Sequence, residues 1–534
     1  MSWTPTSLRG ENLVWLCDIV IGGQTYHLAD RPVTAPTGED DANVEYRGGL
    51  EFSGDVDDRL DLFTADADER SVSLTLHLAG QADVRKLIRE GADLLSATGR
   101  LMLYVEGGSA SDVVVLVDGV ADAPEYGAEE QPVTLTLRED RQDDAALIPP
   151  EPHRYTSSTW AGTGDTGAYG ERYPIVFGRP GGLFGFAAGS PGLYVETDTM
   201  LIAGHHVDST TTISLMDGDG VADGSLVVTN TTDDLGQPVA TISTAVLPNI
   251  GAITVGDPYF VRWGGDAMMD GSRPVRGAGS VIRWLLRRSS MRWDSGRLAA
   301  AEPHIDRYLI DAYIGAAPEK RVSPWEWIAD HLTPILPISW RIGPRGIYPV
   351  LWRFDATALD ATAEIDVDGA RASRTSAVAY SDRAKIRNDL VLSYSPDKDG
   401  AYLRKVRVTG DYDAIDIGTL DLSTAHVSPY CVASRLRYGP RPMDLSSDVI
   451  EDGGTAGAVL GWMVRRYALP TRTVSFELDQ TRLADLTPGD VVTVLDAEIG
   501  MVSQVALVES VRYAARGAAE VTVRTVEDIV RDRL

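Results

Sequence analysis

The chain has 534 residues, of which 43% are hydrophobic and 24% are charged. This composition is typical of ordinary globular proteins, and the length predicts about three or four domains. The formal net charge of −29 argues against a nucleic-acid-binding protein and against adsorption to anionic membranes, because both need a basic surface. No apolar run is long enough for a transmembrane helix, and the N-terminus lacks the pattern of a secretory signal.

The first part of the chain has the alternating apolar and polar residues of half-buried strands. A helical pattern at 81–95 interrupts the strands, and the small residues around Gly107-Gly108 indicate a hairpin. The predicted strands lie at 12–30 with a turn at Gly22-Gly23, at 71–79, at 101–106, at 112–118 and at 132–138. Residues 1–148 are therefore predicted to form a β-barrel or sandwich with one helix.

A charged and then proline-rich linker at 139–153 marks the first boundary, because Pro149 and Pro150 stiffen the chain and cannot donate to a sheet. Gly, Ser and Thr are frequent at 154–182, and short strands with turn residues follow at 192–264. Residues 149–270 are predicted to be an inserted small β domain.

Helical patterns appear next, and residues 271–365 are predicted to be a helix-containing connecting domain. One helix is predicted around Val281–Leu286 and a weaker one at 303–315. A third begins at Ser323, which can cap it, with Pro324 at the first helical position, and Pro334 is predicted to end it.

Strand patterns return at 362–442 and at 472–526, with one helix from Ala456 to Tyr467 that Pro470 ends. Residues 366–534 are predicted to be a second β-barrel domain with one helix. The predicted fold class is therefore mainly β with short helices, a β-rich α+β protein with two barrel-like domains, an inserted β domain and a helical segment.

The cysteines and histidines give no metal-binding pattern. Cys17 and Cys431 lie far apart and are predicted to be two buried free thiols. His205 and His206 are adjacent, and neighbours on a strand point to opposite faces, so that they cannot easily share a metal. His331 has no ligand four residues away on its helix.

Two other patterns resemble ligand loops. Gly162, Gly164, Gly167 and Gly170 lack the Gly-Lys-Ser/Thr ending of a phosphate loop and are interpreted as a surface loop. The second pattern is a group of three aspartates that resembles a calcium-binding loop but lacks the third and the last ligand of such a loop. We therefore favour a β-turn, and a weak cation site stays open as the alternative. The three aspartates are Asp217, Asp219 and Asp223.

No catalytic, cofactor-binding or metal-binding residue is predicted. The sequence has no G-x-S-x-G nucleophile elbow. A glycosidase pair would need two carboxylates at a fixed separation across a cleft, which sequence does not show. Trp284, Trp325 and Trp327 are interpreted as core residues.

Four short sequence segments and the order of the domains resemble the hub proteins at the tail tip of long-tailed bacteriophages. Together they cover roughly residues 12–526. The four phrases resemble segments of tail proteins from phages and prophages of high-GC bacteria. They are Arg172-Tyr173-Pro174-Ile175-Val176-Phe177-Gly178, Gly277-Ala278-Gly279-Ser280-Val281-Ile282-Arg283-Trp284-Leu285-Leu286, the stretch from Pro334 to Pro349, and Leu486-Thr487-Pro488-Gly489-Asp490-Val491.

This resemblance implies a virion structural protein, made in the host cytoplasm and located at the tail tip. Such hubs are homotrimers in which each subunit gives two similar barrels to a ring. The implied partners are other copies of the chain, the distal tail protein ring and tail-tip or fibre proteins, with a tape-measure protein as a further candidate. The genome would pass through without specific binding, and no membrane insertion or cofactor is expected. The chain's acidity would suit a lumen that repels DNA phosphates.

The chain ends soon after its last predicted barrel, which leads us to expect separate fibre and wall-digesting proteins. Two alternatives stay open. One is a receptor- or carbohydrate-binding baseplate or adhesion protein, which an exposed aromatic cleft at 192–264 would mark. The other is a polysaccharide or cell-wall hydrolase, which the missing secretory signal and catalytic motif disfavour.

Overall fold

The computed structural model is mainly β, with multiple sheets and short helices, which confirms the predicted fold class. It describes residues 13–38, 41–52, 55–59, 71–77, 89–91, 93–126, 132–139, 144–160, 170–181, 189–196, 198–208, 210–217, 222–245, 247, 259–271, 273–315, 321–343, 345–397, 400–412, 423–478, 486–514 and 519–526. Among these residues no helix is both long enough and apolar enough to cross a membrane.

The strands are numbered in chain order. The first ten are β1 (Leu13–Ile21), β2 (Gln24–Ala29), β3 (Val33–Ala35), β4 (Val44–Gly48), β5 (Leu50–Phe52), β6 (Asp55–Arg59), β7 (Ser71–Leu76), β8 (Thr98–Val105), β9 (Val113–Tyr126) and β10 (Val133–Arg138). The middle strands are β11 (Ile175–Phe177), β12 (Ser190–Pro191), β13 (Leu193–Glu196), β14 (Thr199–Ala203), β15 (Thr212–Met216), β16 (Ala222–Thr232), β17 (Pro238–Ser243), β18 (Phe260–Trp263), β19 (Met269–Asp270), β20 (Arg273–Pro274) and β21 (Ala312–Ile314).

The remaining strands belong to the last 200 residues. They are β22 (Ile338–Gly343), β23 (Gly346–Leu351), β24 (Ala363–Asp366), β25 (Ser373–Arg374), β26 (Ala379–Tyr380), β27 (Asp389–Pro396), β28 (Tyr402–Thr409), β29 (Ser423–Val427), β30 (Pro442–Ser446), β31 (Arg472–Leu478), β32 (Val491–Asp496), β33 (Met501–Ala514) and β34 (Ala519–Thr525). The α-helices are α1 (Ala278–Leu286), α2 (Ser295–Ile305), α3 (Pro324–Trp327), α4 (Pro429–Tyr438) and α5 (Gly453–Tyr467).

The N-terminal sheet closes on itself. Counted over the described residues it has nine strands, in the order β3-β4-β2-β1-β8-β9-β10-β7-β5. β4 pairs with β2 and β5 pairs with β7, although β4 and β5 are separated only by Gly49. The Gly49 N–H donates to the Ala29 carbonyl at 3.0 Å, and its own carbonyl accepts from the His77 N–H at 2.6 Å. Through Gly49 the chain thus passes from β4, which lies next to the edge strand β3, directly to the opposite edge strand β5.

Gly49→Ala is expected to destabilise this barrel by about 2 kcal/mol or more, since Gly49 has φ +140 and a Cβ there would lie 2.7 Å from the His77 carbonyl oxygen. Gly23→Ala is the control, because Gly23 also has positive φ (+81) but nothing lies within 4 Å of the added atom; its cost should be about 1 kcal/mol. Urea unfolding measures both. Equal losses would contradict the role given to Gly49.

A second sheet closes in the same way. Within the described residues its seven strands follow the order β12-β18-β15-β16-β17-β14-β13. β12 pairs with β18 and β13 pairs with β14, and only Gly192 separates β12 from β13. Ile213, Leu215, Val261 and Trp263 lie in the apolar core of this sheet.

The C-terminal sheet has the order β24-β32-β33-β34-β31-β25, with β26 also on β31. Its two outer strands, β24 and β25, are close in sequence, and the turn between them is held by N–H groups of Arg371 and Ala372 that donate to the Asp366 carbonyl. The long strand β33 has a further neighbour from the other end of the chain, because β6 pairs antiparallel with its second half at Ser510–Ala514.

This pairing fuses the N-terminal and C-terminal sheets. Val56 of β6 is fully buried, and it belongs to one continuous apolar core that also contains Leu74 and Leu101 of the first sheet and Val511 and Val521 of the last. The two barrel-like sheets therefore share a core, although more than 200 residues separate β10 from β24 in sequence. The domain boundaries themselves stay a prediction.

The central region holds the helices, a four-stranded sheet in the order β29-β28-β27-β30 and the β22–β23 hairpin. Trp284, Trp325 and Trp327 lie in its core, as predicted. The helices predicted around Val281–Leu286 and Ala456–Tyr467 are present as α1 and α5. At α3 the Ser323 hydroxyl accepts from the Glu326 N–H at 3.0 Å, which confirms the predicted cap.

Three helix predictions need correction or comment. The helix predicted at 303–315 is wrong: α2 starts earlier, because the Asp294 carboxylate caps it, and the later residues of that range form β21. Pro334 does not end the third helix, since it lies inside a 3-10 turn, Thr333–Ile335, that follows a π-helical turn. Much of the helix predicted at 81–95 falls outside the described residues, which include a 3-10 turn at Leu94–Ser96.

Candidate functional site at the central junction

The phrase from Arg172 to Gly178 lies where the seven-stranded sheet meets the central region. Tyr173 is fully buried and accepts a hydrogen bond from the Trp160 indole N–H at 3.0 Å. Its own hydroxyl donates to the Asp233 carboxylate at 3.0 Å. Burial raises the pKa of Tyr173, so that the phenol stays protonated and remains a donor.

The next residues of the phrase contact the second phrase directly. Strand β11 pairs with β21, and the ring of Phe177 meets that of Trp284 edge to face at 5.3 Å between centroids. Phe177 also lies 5.7 Å from the ring of Trp327. Edge-to-face aromatic pairs add to the free energy of apolar burial. These two phrases are thus parts of one packing unit.

An ion-pair network fixes the same junction. The Asp311 carboxylate, 1% exposed, accepts from the Arg276 guanidinium through Nε at 2.8 Å and Nη2 at 3.1 Å. It also accepts from the Arg179 N–H at 2.7 Å, while the Arg179 side chain pairs with Asp266 at 2.9 Å. Burial by itself lowers the pKa of Arg276, because it disfavours the charged guanidinium. The hydrogen bonds and the negative charge of Asp311 have the larger, opposite effect, so that the pKa of Arg276 is raised.

A cleft of about 570 Å³ opens beside this network, between the seven-stranded sheet, α3 and the turn after β27. Its polar side chains are mostly acidic, and they come from four separate segments of the chain. The chemically active lining residues are Asp311, Tyr313, His331, Asp397, Asp448 and Glu451.

Glu451 is the most perturbed carboxyl group of the cleft. Burial raises its pKa to about 8, and the nearby charge of Asp311 adds to the effect. Its Oε1 accepts from the Gly181 N–H at 2.8 Å, and this bond crosses from the central region to the segment that leads into the seven-stranded sheet. At neutral pH the group is mainly a neutral acid.

Glu451→Gln is expected to make the stability of the protein less dependent on pH. Its carboxyl has an ordinary pKa of 4.5 and a folded pKa of about 8, so the folded chain keeps a proton that the unfolded chain releases. The stabilisation is complete below pH 4.5 and is lost as the pH rises to about 8. Urea unfolding at about pH 5 and about pH 8.5 should show a larger loss in the parent protein than in the variant.

Equal losses would contradict this assignment of Glu451. Glu326→Gln is the matched control, because Glu326 is exposed on α3, and its pH dependence should match that of the parent protein. In Glu451→Gln the carboxamide oxygen can still accept from the Gly181 N–H. The comparison with the parent protein therefore reports only the loss of the titrating carboxyl group.

His331 occupies the opposite wall. Its Nδ1 lies 3.1 Å from the Asp448 carboxylate, and its ring lies 5.2 Å from that of Trp327. The hydrogen bond and charge of Asp448 raise the pKa of His331, against the opposing effect of burial. The imidazole is therefore held against the Asp448 carboxylate within the wall.

The adjacent histidines contact the backbone. The Val176 N–H donates to Nε2 of His205 at 3.1 Å, and Nδ1 of His205 lies 3.1 Å from the His206 carbonyl oxygen. Burial lowers the pKa of His205 to about 4, so that the neutral ring donates to one carbonyl and accepts from one N–H. His206 contacts the Thr231 carbonyl at 3.0 Å. Across the part of the chain that the structure describes, no three His, Cys, Asp or Glu side chains are grouped to hold a metal.

The other sequence patterns have separate outcomes. Cys17 and Cys431 are buried and free, as predicted, and burial raises the pKa of Cys431 to about 12. Asp219 and the side chain of Asp223 lie outside the described residues, as do Gly162, Gly164 and Gly167. In the range 192–264, Tyr259 and Trp263 are buried, and the cleft lies elsewhere. Sequence reasoning missed Asp311, Asp448 and Glu451, which carry no local motif.

Comparison with known proteins gives only structural neighbours. No family model matches, and no curated protein matches. Similar solved structures include a tail protein from Neisseria meningitidis MC58, with 10% identity and a TM-score of 0.37 over 96% of this chain and 97% of that one. The prophage MuSo2 43 kDa tail protein from Shewanella oneidensis has 9% identity and a TM-score of 0.35 over 96% and 98%.

The prophage tail protein gp18 from Listeria monocytogenes EGD-e has 10% identity and a TM-score of 0.26, over 65% of this chain and 92% of that one. These neighbours are phage tail proteins. Because all these TM-scores are below 0.5, the functional proposal is built on the residues and packing of this chain.

Proposed function

We propose that this chain is the structural hub of a phage tail tip, a virion protein that acts by assembly and not by catalysis. The observation that carries the proposal is the fusion of two barrel-like sheets, one from each end of the chain, through the β6–β33 pairing and a shared core. A rigid pair of barrels in one subunit is what a three-fold ring needs to present six similar positions.

In this proposal three copies form a closed ring through heterologous contacts. One side of the ring joins the six-fold tail tube, and the other joins three-fold tip or fibre proteins. The genome passes through the centre without specific binding, which the net charge of −29 favours by repelling phosphates.

The chemistry of the cleft supports a structural role. Asp311 is held by Arg276, Asp448 by His331, and Glu451 by the Gly181 N–H. Each of these side chains holds one segment of the junction to another. The polar groups are thus used for cohesion between the sheets.

The test is the absolute mass of the purified chain by light scattering over a concentration series. The proposal predicts a species of three times the chain mass of 57.6 kDa, or a monomer that converts to it as concentration rises. A stable dimer, or a monomer at every concentration, would contradict the proposal.

A further inference from the structure

The charge of this protein is unevenly distributed. Residues 381–470 contain 12 Lys or Arg and 12 Asp or Glu, so that their formal charge is zero and the rest of the chain carries the whole net charge of −29. This neutral segment includes the four-stranded sheet with α4 and α5. An exposed basic surface is therefore unexpected from the overall charge of this protein.

Such a surface lies where α4, the C-terminal end of α5 and the 3-10 turn Arg383–Lys385 meet. The Arg383 guanidinium carbon lies 5.7 Å from the ring centre of Tyr438 on α4. On the other side, Arg465 of α5 lies 5.7 Å from the ring centre of Tyr430. Contacts through these two tyrosines thus bring three separate segments onto one face.

Helical spacing places further residues on this face. Arg437 is seven positions after Tyr430 and so lies on the same side of α4. We call the set of these residues the α4–α5 face. It consists of Arg383, Lys385, Tyr430, Arg437, Tyr438 and Arg465.

The cations of the α4–α5 face are directed to solvent. Arg383, Lys385, Arg437 and Arg465 are exposed. Among the described residues, no carboxylate lies within ion-pairing distance of Arg383, Arg437 or Arg465. The nearby carboxylate of Asp411 is engaged by Arg435 at 2.6 Å.

Arginine and tyrosine make up most of this face. Subunit interfaces favour these residues, and they are the usual energetic centres of such contacts. A surface built this way fits a protein partner with carboxylates.

We propose that the α4–α5 face docks onto a carboxylate-rich surface of an adjacent copy of this chain. This inference rests on the proposed ring and names one of its contact surfaces. The adjacent copy supplies the complementary charge, because the residues outside 381–470 have a summed formal charge of −29. Two α4–α5 faces would repel each other, so the contact joins unlike surfaces, as a closed ring requires and a two-fold dimer does not.

A nucleic-acid partner is the competing explanation of a basic face. The net charge of −29 repels DNA phosphates from the molecule as a whole. We therefore favour a second copy of the chain as the binding partner of the α4–α5 face. The test also measures DNA binding, which would contradict this choice.

The test compares the parent protein with the double variant Arg383→Glu, Arg437→Glu. Both side chains are exposed and lie outside the core, so the variant should fold. Light scattering should show that the concentration for half-maximal assembly rises by about tenfold or more, and the parent protein should assemble less well at about 0.3 M salt than at about 0.05 M. The control is Arg345→Glu, Arg371→Glu, two exposed arginines outside this face, which should assemble like the parent protein.

The outcomes separate this inference from the proposed function. A parent trimer with an unchanged double variant would overturn the α4–α5 contact and leave the ring intact. A parent protein that stays monomeric at every concentration would overturn both. A labelled DNA duplex that binds the parent protein at about 0.15 M salt, but not the double variant, would show a nucleic-acid surface and overturn the second copy as the partner.

Discussion

Val56→Asp is expected to lower the free energy of unfolding by about 4 kcal/mol or more, because it places an unpaired carboxylate in an apolar core. Val56 is fully buried on β6, opposite Tyr513 of β33. The substitution therefore acts on the β6–β33 pairing, which joins the two ends of the chain. Urea unfolding followed by fluorescence and by circular dichroism should also show two separate unfolding transitions in the variant where the parent protein shows one.

The matched control is Val502→Asp, which makes the same chemical change on β33 itself. Val502 is 65% exposed, so that its substitution should change stability by no more than about 0.5 kcal/mol. Similar small losses for both variants would mean that the β6–β33 pairing does not fuse the barrels.

Asp311→Ala is expected to cost about 3–5 kcal/mol, because it removes the nearest partner of the largely buried Arg276 guanidinium, which keeps only the more distant Asp266 at 3.8 Å. The guanidinium of Arg276 would lose two hydrogen bonds, and the Arg179 N–H would lose its acceptor. Thermal unfolding and limited proteolysis would measure the loss and show whether the seven-stranded sheet detaches first.

Asp311→Asn separates charge from hydrogen bonding at this position. The side-chain oxygen of the asparagine can still accept from the Arg179 N–H. The stability of this variant should therefore lie between that of the parent protein and that of Asp311→Ala. Asp360→Ala serves as a control, since Asp360 pairs with Arg353 at a more exposed site, and its loss of stability should be much smaller than that of Asp311→Ala. A small loss for Asp311→Ala would contradict the proposed clamp.

Local signals predicted the elements that depend on neighbouring residues. The turn at Gly22–Gly23 joins β1 to β2, and the Ser323 cap starts α3, because both depend on contacts within a few positions. The helix α4 was missed, since only Cys431 and Ser434 are buried along it and it lacks an apolar stripe. The start of α2 was missed because its Asp294 cap precedes a weakly apolar segment.

Sequence alone could not reveal the contacts that define the junction. β6 and β33 are separated by more than 400 residues, and β6 was not predicted as a strand because four of its five residues are charged. Glu451 and Asp311 are isolated acids among 78 acidic residues. Their burial and partners follow from tertiary packing, which hydrophobic periodicity does not encode.

The most direct measurement of the central claim is electron microscopy of the purified chain at a concentration where light scattering shows assembly. The account predicts a closed ring with three-fold symmetry, in which six barrel densities of similar size surround an open centre. A two-fold particle, or a ring in which each subunit contributes only one barrel to the circumference, would contradict it.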